Sequence, residues 1–460
     1  MNKITVIGGG ISGIFSSLLL KKKFPNSEVE LIETSKSLGG LFNSYTYPNY
    51  GRFDYGMHNI YETGISEIDE ILHSLLPAEQ WDFLEGNNRD LAGIFFNNKI
   101  QTNTVFPDTR NLKKNNIYIR EIERSVNEKQ TKSNIKNATD YFNKKFGITY
   151  SQDIIEPILE KTYKLKTDQL SPFAGSLIPL SRVCALDIHQ LTNQKENNLF
   201  CFPEQRELPK NLIPHKKALY PKERGCSLVT EAAISKLLDL GVTIKLNFKV
   251  DSFIYDRDSV IGYNRNKETF KSDLIISTIG PIALARIASI DFKPKFTHKP
   301  FHTVIVNFAT KMKPNMIQDL HYLFCYDKDY LTYRATFYPN FCSSAQTERF
   351  YPFNVELLID GDLNTDEKHY ELVAKEELLR MGIVNSTDDF LFSKSEVLPY
   401  GFPRPSTGNI EVFQSARFKI KELGLKNLIV GGVLSEENLF FQGSVISDIY
   451  KKIIALDPLM

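Results

Sequence analysis

The sequence predicts an α/β protein of two domains, one built on a parallel sheet in the Rossmann manner and one built from helices and antiparallel sheet. Within the first twenty residues, a strand pattern ends in a glycine-rich turn and continues as a helix. A strand–helix–strand order returns between residues 218 and 280. Residues 301–360 alternate aromatic and β-branched positions, which is typical of antiparallel strands. With 460 residues, the chain is long enough for two closely joined domains.

The glycine-rich turn joins the apolar run Ile4–Ile7 to the helix pattern Ile14–Leu20. In the spacing GxGxxG, the first glycine permits a tight turn, the second lets the backbone approach a pyrophosphate, and the third lets the helix pack on the strand. The N–H groups of the helix N-terminus then face the phosphates. We therefore expect a dinucleotide pyrophosphate to bind at Gly8, Gly10, Ile11, Ser12 and Gly13.

A second strand pattern, Glu28–Glu33, ends on an acidic residue that follows Gly13 by twenty positions. At this distance from the glycine turn, the carboxylate is placed to accept hydrogen bonds from ribose hydroxyls. Glu33 therefore predicts an adenine dinucleotide as the ligand.

Composition excludes several other classes of function. The net charge of +1 gives no field that would attract nucleic acid. The five cysteines lack CxxC spacing, so we expect neither a metal site nor a disulfide framework. The longest apolar stretch, Leu274–Ala285, is too short to span a bilayer, which requires about 20 residues. With the first strand starting at residue 4 and no room for a leader, we expect a cytoplasmic protein without a transmembrane segment.

Several segments resemble flavoproteins. Gly39 and Gly40 match the glycine pair that follows the second strand in flavin oxidases, which implies FAD as the cofactor. The order of elements from residue 218 onward resembles flavoproteins of the glutathione reductase class. This resemblance implies that the backbone at Val250 contacts the adenine. It also implies that Gly443 and Ser444, at the start of the last helix, lie against the flavin pyrimidine.

Nearly the whole chain resembles the FAD superfamily that contains monoamine oxidase, protoporphyrinogen oxidase and UDP-galactopyranose mutase. The segment Phe53–His58 is most similar to the mutases, in which it ends in a histidine beside the flavin. The resemblance implies that Gly56 and His58 contact the cofactor, and it makes His58 a candidate for acid–base catalysis. A histidine in an aromatic loop can equally be a packed, hydrogen-bonded residue.

Two arginines match those that hold the pyrophosphate of the sugar nucleotide in the mutases: Arg182, within Leu180–Val183, and Arg334, within Thr332–Thr336. A planar guanidinium suits this task because it binds phosphate in bidentate fashion. The resemblance also places Tyr333 and Tyr400 in the substrate site, although a phenylalanine stands where the mutases have a pyrophosphate-binding tyrosine. In the alternative interpretation, each arginine pairs with an acidic residue at the seam between domains.

The resemblance implies an FAD-binding domain of residues 1–60, 205–295 and 405–460, and a substrate domain of residues 61–204 and 296–404. The leading hypothesis is a pyranose–furanose mutase that acts on a nucleotide sugar, in cell-surface polysaccharide biosynthesis, with FAD reduced by NADH or NADPH. One alternative is an FAD-dependent oxidoreductase that acts on an amine, a porphyrin-like ring or a desaturase substrate. Another is a member that keeps the fold without catalysis.

Overall fold

The computed structural model describes residues 2–127, 135–191, 198–364, 366 and 368–457. Its α-helices are α1 (Ile11–Lys23), α2 (Ser66–His73), α3 (Asn115–Asn127), α4 (Ala138–Phe146), α5 (Ile148–Tyr150), α6 (Glu156–Tyr163), α7 (Ile188–Leu191), α8 (Ser227–Asp239), α9 (Pro281–Ile287), α10 (His369–Arg380), α11 (Thr407–Glu422) and α12 (Gln442–Ile454). A π-helical turn, Ser151–Ile155, joins α5 to α6.

The strands begin with β1 (Lys3–Ile7), β2 (Glu28–Ile32), β3 (Ser44–Tyr47), β4 (Gly51–Asp54), β5 (Ile60–Tyr61), β6 (Trp81–Leu84), β7 (Ala92–Phe96), β8 (Lys99–Gln101), β9 (Ala218–Pro221) and β10 (Thr243–Lys245). They continue with β11 (Ser252–Asp256), β12 (Ser259–Arg265), β13 (Glu268–Lys271), β14 (Leu274–Ser277), β15 (Phe301–Thr310), β16 (Tyr322–Cys325), β17 (Thr332–Phe337), β18 (Tyr351–Ile359), β19 (Phe390–Phe402) and β20 (Leu428–Val430).

A five-stranded parallel sheet in the order β10-β2-β1-β14-β20 confirms the predicted Rossmann-like fold. Its central strands are buried on both faces, which explains their continuous apolar sequence. Val6 lies between Leu31 and Ile276 in register. Helices α1 and α12 pack together against this sheet, so the first and last helices of the described chain close the same layer.

A second sheet has seven strands in the order β19-β15-β18-β17-β16-β7-β8. Its pairs are antiparallel as predicted, except that β7 and β16 are parallel. This exception is sterically feasible because more than 200 residues separate the two strands in the chain. Strands β15 and β18 present one apolar face, including Val304 and Val355, that packs against α10.

The opposite face of this sheet carries polar residues in two neighbouring rows. One row pairs Asn307 with Asn354 and Asn354 with Thr336, and the next pairs Glu356 with Arg334. Asn307, Asn354 and Thr336 are fully buried. An alternation of apolar and polar faces normally indicates one face in solvent, whereas here the polar face is covered by the hairpin β3–β4.

The carboxylate of Asp54 holds this hairpin in place. It accepts hydrogen bonds from Ser44 Oγ at 2.7 Å, Tyr220 Oη at 2.5 Å and the Cys226 N–H at 2.7 Å. The backbone oxygen of Asp54 accepts a further hydrogen bond from Asn354 Nδ2 at 3.2 Å. Strand β4, strand β9, helix α8 and the polar sheet face therefore meet at one buried residue.

Helices α3 to α6 form a helical layer against the edge of the second sheet. Their buried aromatic residues, among them Phe146 and Tyr150, share a core with Phe324 and Tyr326 of the sheet. Residues 128–134, between α3 and α4, lie outside the described residues. The division of the chain into domains stays a prediction.

Among the described residues, none of the helices combines the length and the apolar composition that crossing a bilayer requires.

The parallel sheet contains one buried carboxylate, Glu30, with an exposed fraction of 1%. It accepts hydrogen bonds from Lys245 Nζ at 2.7 Å, Tyr263 Oη at 2.7 Å and Thr5 Oγ1 at 2.8 Å. Burial by itself would raise the pKa of Glu30, but these three hydrogen bonds lower it below its ordinary value. The ionised carboxylate therefore ties β2 to β1, β10 and β12.

We expect Glu30→Gln to lower the free energy of unfolding by about 3 kcal/mol at neutral pH, because it leaves Lys245 without its buried partner. A depressed pKa stabilises the fold above the ordinary carboxyl pKa, and this stabilisation is lost as the pH falls through the folded-state pKa. The difference between wild type and variant should therefore shrink in acid. Urea unfolding at several pH values measures it. Glu28→Gln, at an exposed residue paired with Lys3, is the control and should cost less than about 1 kcal/mol; equal losses in both variants would contradict the prediction.

Candidate cofactor site and interior cleft

The glycine turn after β1 leaves room for a ligand at one position only. A Cβ at Gly13 would lie 1.8 Å from the carbonyl oxygen of Gly8, so glycine is required there for the helix to approach the turn. A Cβ at Gly10 would meet no atom within 4 Å. Gly10 pairs with Gly39, and the Gly40 Cβ position lies 3.4 Å from the Gly10 Cα atom. The predicted glycine turn and glycine pair therefore border one open space.

The N-terminus of α1 faces this space. The first hydrogen bond within the helix runs from the Ile14 N–H to the Gly10 oxygen, which leaves the N–H groups of Ile11, Ser12 and Gly13 without a partner in the helix. The Ser12 hydroxyl is buried and has no hydrogen-bond partner. Free N–H groups and an unpaired hydroxyl at a helix N-terminus fit a phosphate.

Glu33, at the end of β2, contacts the same turn. Its carboxylate accepts hydrogen bonds from the Gly9 N–H at 2.7 Å and the Ser35 N–H at 2.8 Å. Burial opposes ionisation, but the hydrogen bonds from Ser35 and Gly9 lower the pKa of Glu33. The backbone oxygen of Glu33 accepts a hydrogen bond from Phe248, so the segment leading to the buried Val250 runs beside it. This arrangement fits a ribose and an adenine.

The start of α12 supplies another open position. A Cβ at Gly443 would meet no atom within 4 Å, and Ser444 is exposed. Two large apolar residues adjoin these glycine segments and remain exposed, Leu41 at 48% and Phe441 at 54%. Together, the glycine turn, Glu33 and α12 fit a dinucleotide.

His58 follows the hairpin β3–β4 and is half-buried. Its Nδ1 atom lies 3.3 Å from the backbone oxygen of Gly56, and its ring centroid lies 5.1 Å from that of Phe42. Burial first, and then the positive charge of Arg334, lower the pKa of His58. The imidazole is therefore neutral at neutral pH.

Arg334 forms a bidentate ion pair with Glu356, with distances of 2.6 Å and 3.0 Å. Burial opposes the charge of Arg334, but the pair raises its pKa above the ordinary value. Glu356 also accepts a hydrogen bond from the Met57 N–H at 3.2 Å. A Cβ at Gly56 would lie 2.7 Å from Glu356, so the glycine permits this close approach. The structure therefore brings Arg334, Gly56 and His58 together, with the arginine already paired.

Three residues that the sequence analysis did not select lie near this ion pair. Tyr61 Oη donates to Asp90 at 3.2 Å, and Tyr322 also forms a hydrogen bond with Asp90. Burial raises the pKa of Asp90, although Arg334 and Arg89 oppose this shift. No sequence signal joins these residues, because the pairing of β7 with β16 brings Tyr322 beside the segment of Asp90, and Tyr61 comes from β5 in another sheet.

Five partly buried side chains form one group beside the Arg334–Glu356 ion pair: His58, Tyr61, Asp90, Tyr322 and Arg334. Burial is the largest influence on the pKa of each of them. We call this group the cleft residues.

Arg182 lies outside the cleft residues and is exposed. Its guanidinium carbon is 5.9 Å from the ring centroid of Phe106. Burial first, and then the charge of Arg182, lower the pKa of Lys145, whose Nζ atom lies 5.0 Å from the Phe146 ring. Within the described part of the chain, no carboxylate pairs with either cation.

The two predicted substrate tyrosines have different environments. Tyr333 is buried, with its ring 5.4 Å from Phe324 and 4.9 Å from Phe402, and burial raises its pKa. Tyr400 lies on β19 with 55% of its surface exposed, and its ring centroid is 4.6 Å from that of His302 with the two rings tilted. Their roles in substrate binding stay predictions. The described residues contain no cluster of histidine, cysteine and acidic side chains suited to a metal ion.

Comparisons with known proteins agree with this geometry. Residues 6–74 match the NAD(P)-binding Rossmann-like domain family. A reduced UDP-galactopyranose mutase has a similar structure, with a TM-score of 0.74 and 16% identity over 98% of this chain and 93% of that one. No curated protein matches the chain by sequence.

Two other solved structures are similar over nearly the whole chain. A protoporphyrinogen oxidase homologue from an Exiguobacterium species has a TM-score of 0.67 and 14% identity over 99% of both chains. Cyclohexylamine oxidase from Brevibacterium oxydans has a TM-score of 0.60 and 12% identity over 98% of this chain and 99% of that one. The chain therefore shares its fold with these mutase and oxidase structures, as predicted.

We expect Gly10→Ala to lower the affinity for FAD at least about tenfold, because its methyl group would enter the space open to the pyrophosphate. The backbone at Gly10 has φ −71°, which alanine adopts freely, so the melting temperature of the cofactor-free protein should not change. Fluorescence titration and calorimetry measure the two effects.

Gly13→Ala is the contrasting variant. Its Cβ would collide with the Gly8 oxygen, so it should lower both stability and affinity. If Gly10→Ala bound FAD as tightly as the wild-type protein does, the assignment of this space to the pyrophosphate would be wrong.

Proposed function

We propose that this protein binds FAD and acts on a nucleotide sugar in the manner of a pyranose–furanose mutase. One observation carries the substrate class: two cations that repel each other lack a carboxylate partner in the described chain, Arg182 over the ring of Phe106 and Lys145 over the ring of Phe146. Two unpaired cations suit a diphosphate, and an adjacent aromatic ring suits a base. The glycine turn, Glu33, Val250 and Gly443 support FAD as the cofactor.

The residues of this chain would bind and orient the reactants. Bound FAD, when reduced, would supply the nucleophile for a reversible displacement at the anomeric carbon. Arg182 and Lys145 would hold the diphosphate of the leaving nucleotide. Because Arg334 is paired with Glu356, it would contact the diphosphate only if its guanidinium bound both groups at once. His58, with Nδ1 against the Gly56 oxygen, leaves Nε2 as a proton acceptor.

A second candidate is an FAD-dependent oxidoreductase. It is favoured by the charge balance in the cleft, because the Arg334 guanidinium is already neutralised by Glu356. The rings of Tyr61 and Tyr322 add an aromatic wall that suits an amine or a flat ring system. The third candidate, a member of the fold without catalysis, would not take up FAD. A cytoplasmic location and a part in polysaccharide biosynthesis stay predictions.

Anaerobic incubation with UDP-, dTDP- and GDP-sugars, with and without chemical reduction, tests the choice. For a mutase, we expect chromatography to reveal an isomeric sugar nucleotide only when the flavin is reduced, because the oxidised ring is no nucleophile. If no sugar isomerises and an amine or another hydride donor bleaches the oxidised protein, the oxidoreductase proposal replaces the mutase proposal. A colourless protein that does not take up FAD would favour the third candidate.

We expect Arg182→Ala to weaken the binding of UDP to the FAD-loaded protein about 10- to 150-fold, which corresponds to the loss of a charged hydrogen bond worth about 1.5–3 kcal/mol. Lys145→Ala should weaken it in the same direction, whereas FAD content should not change in either variant. Isothermal titration calorimetry measures the affinity.

Lys113→Ala removes an exposed lysine of the same region and serves as the control for lost positive charge. Arg334→Ala distinguishes the cleft from the Arg182–Lys145 pair. If Arg334→Ala alone weakened UDP binding, the diphosphate would bind in the cleft, and the role proposed for the exposed pair would be wrong.

A further inference from the structure

Cys184 and Cys201 are seventeen positions apart in the sequence and lie on paired backbone segments in the structure. Both side chains are buried, with exposed fractions of 0% and 4%. The sequence offered no reason to pair them, since neither belongs to a CxxC motif. The pairing of the backbone brings them together.

The backbone pairs the two segments in parallel. The Val183 N–H donates to the Leu199 oxygen and the Cys201 N–H donates to the Val183 oxygen, each at 2.9 Å. This pattern places Val183 opposite Phe200, and therefore Cys184 opposite Cys201. Paired strands lie about 4.7–4.9 Å apart, and disulfides span Cα distances of about 4.4–6.8 Å. A disulfide fits here without displacement of the backbone.

We propose that Cys184 and Cys201 are a modification site, a dithiol that peroxide converts into an intrachain disulfide. In the first step, the Cys201 sulfur attacks hydrogen peroxide, which breaks the O–O bond and yields a sulfenic acid and one water molecule. In the second step, the Cys184 sulfur displaces the hydroxyl group, which leaves with the thiol proton as a second water molecule. Two thiols are oxidised and one peroxide is reduced.

The order of these steps follows from access to the two sulfurs. Cys184 has no accessible surface, whereas Cys201 keeps 4% of its surface accessible. Peroxide therefore reaches Cys201 first, which makes Cys201 the nucleophile and Cys184 the resolving thiol. Thr104 Oγ1 lies 3.9 Å from the Cys201 sulfur. Both thiols are enclosed, so small oxidants should react with them and bulky ones should not.

The other three cysteines lack a thiol partner. Cys226 donates its S–H to the His58 oxygen at 3.1 Å, and Cys342 donates to the Lys222 oxygen at 3.3 Å. Burial raises the pKa of the Cys325 thiol to about 12. Oxidation should therefore give one disulfide with one pairing.

The disulfide would stabilise the segment that carries Arg182. Cys184 also pairs with Asp108 on its other side, since its N–H donates to the Pro107 oxygen at 3.0 Å. Phe106, whose ring lies beside the Arg182 guanidinium, comes directly before Pro107 in the same segment. A bond between these two sulfurs would hold the paired segments in their present position and shift the unfolding midpoint upward.

The test uses the fully reduced full-length protein treated with hydrogen peroxide, then unfolded and alkylated for mass spectrometry. The expected product has three alkylated cysteines and one linked peptide pair that contains Cys184 and Cys201, together with a higher melting temperature. Cys342→Ser is the control and should form the same disulfide. Cys184→Ser and Cys201→Ser should form none.

Five alkylated cysteines after peroxide treatment, or a disulfide between any other pair, would overturn the proposal. Peptide mapping of the wild-type protein decides this even if a serine variant does not fold. The assay requires neither FAD nor a sugar nucleotide, so its outcome is separate from that of the proposed function.

Discussion

The buried carboxylate of Asp54 is the contact on which the arrangement of the site depends. It collects donors from the β3–β4 hairpin, from strand β9 and from the N-terminal end of α8. The polar face of the second sheet adds Asn354 through the backbone of Asp54. Because a buried carboxylate requires several donors, these elements have one relative position. The segment that ends in His58 starts at Asp54, so the contacts of Asp54 also determine where His58 lies.

The ion pair of Arg334 and Glu356 sets the electrostatics of the cleft. Glu356 neutralises the Arg334 guanidinium, and the hydrogen bond from the Met57 N–H to Glu356 links the pair to the segment that contains His58. A buried, bidentate pair contributes geometry more than net stability. Arg182 and Lys145 are the cations near the predicted substrate site that lack a carboxylate partner in the described chain. The proposed diphosphate site and the cleft therefore differ in charge, and this difference separates the two candidate functions.

The mixed character of the second sheet explains why its function was hard to predict. Alternation of aromatic and β-branched positions predicted antiparallel strands, but it did not reveal that a polar face of the sheet is buried under the β3–β4 hairpin. Asn307 donates to Tyr47 and Asn354 donates to Asp54 and Tyr338, whereas the side-chain oxygens of Asn307, Asn354 and Thr336 have no partner among the described residues. Tyr322 pairs with Thr336 at one end of this face, and its hydrogen-bond partner Asp90 also accepts from Tyr61.

The sequence by itself determined the local features. The strand, glycine turn and helix of residues 3–23, strand β2 just before Glu33 and the start of the last helix were predicted, because each depends on backbone geometry within a few residues. Tertiary structure alone decided which side chains meet. Glu356 neutralises Arg334, Asp90 joins Tyr61 and Tyr322, and the backbone places Cys184 beside Cys201. These contacts depend on strand register between distant segments, and periodicity within one segment carries no information about its partner's register.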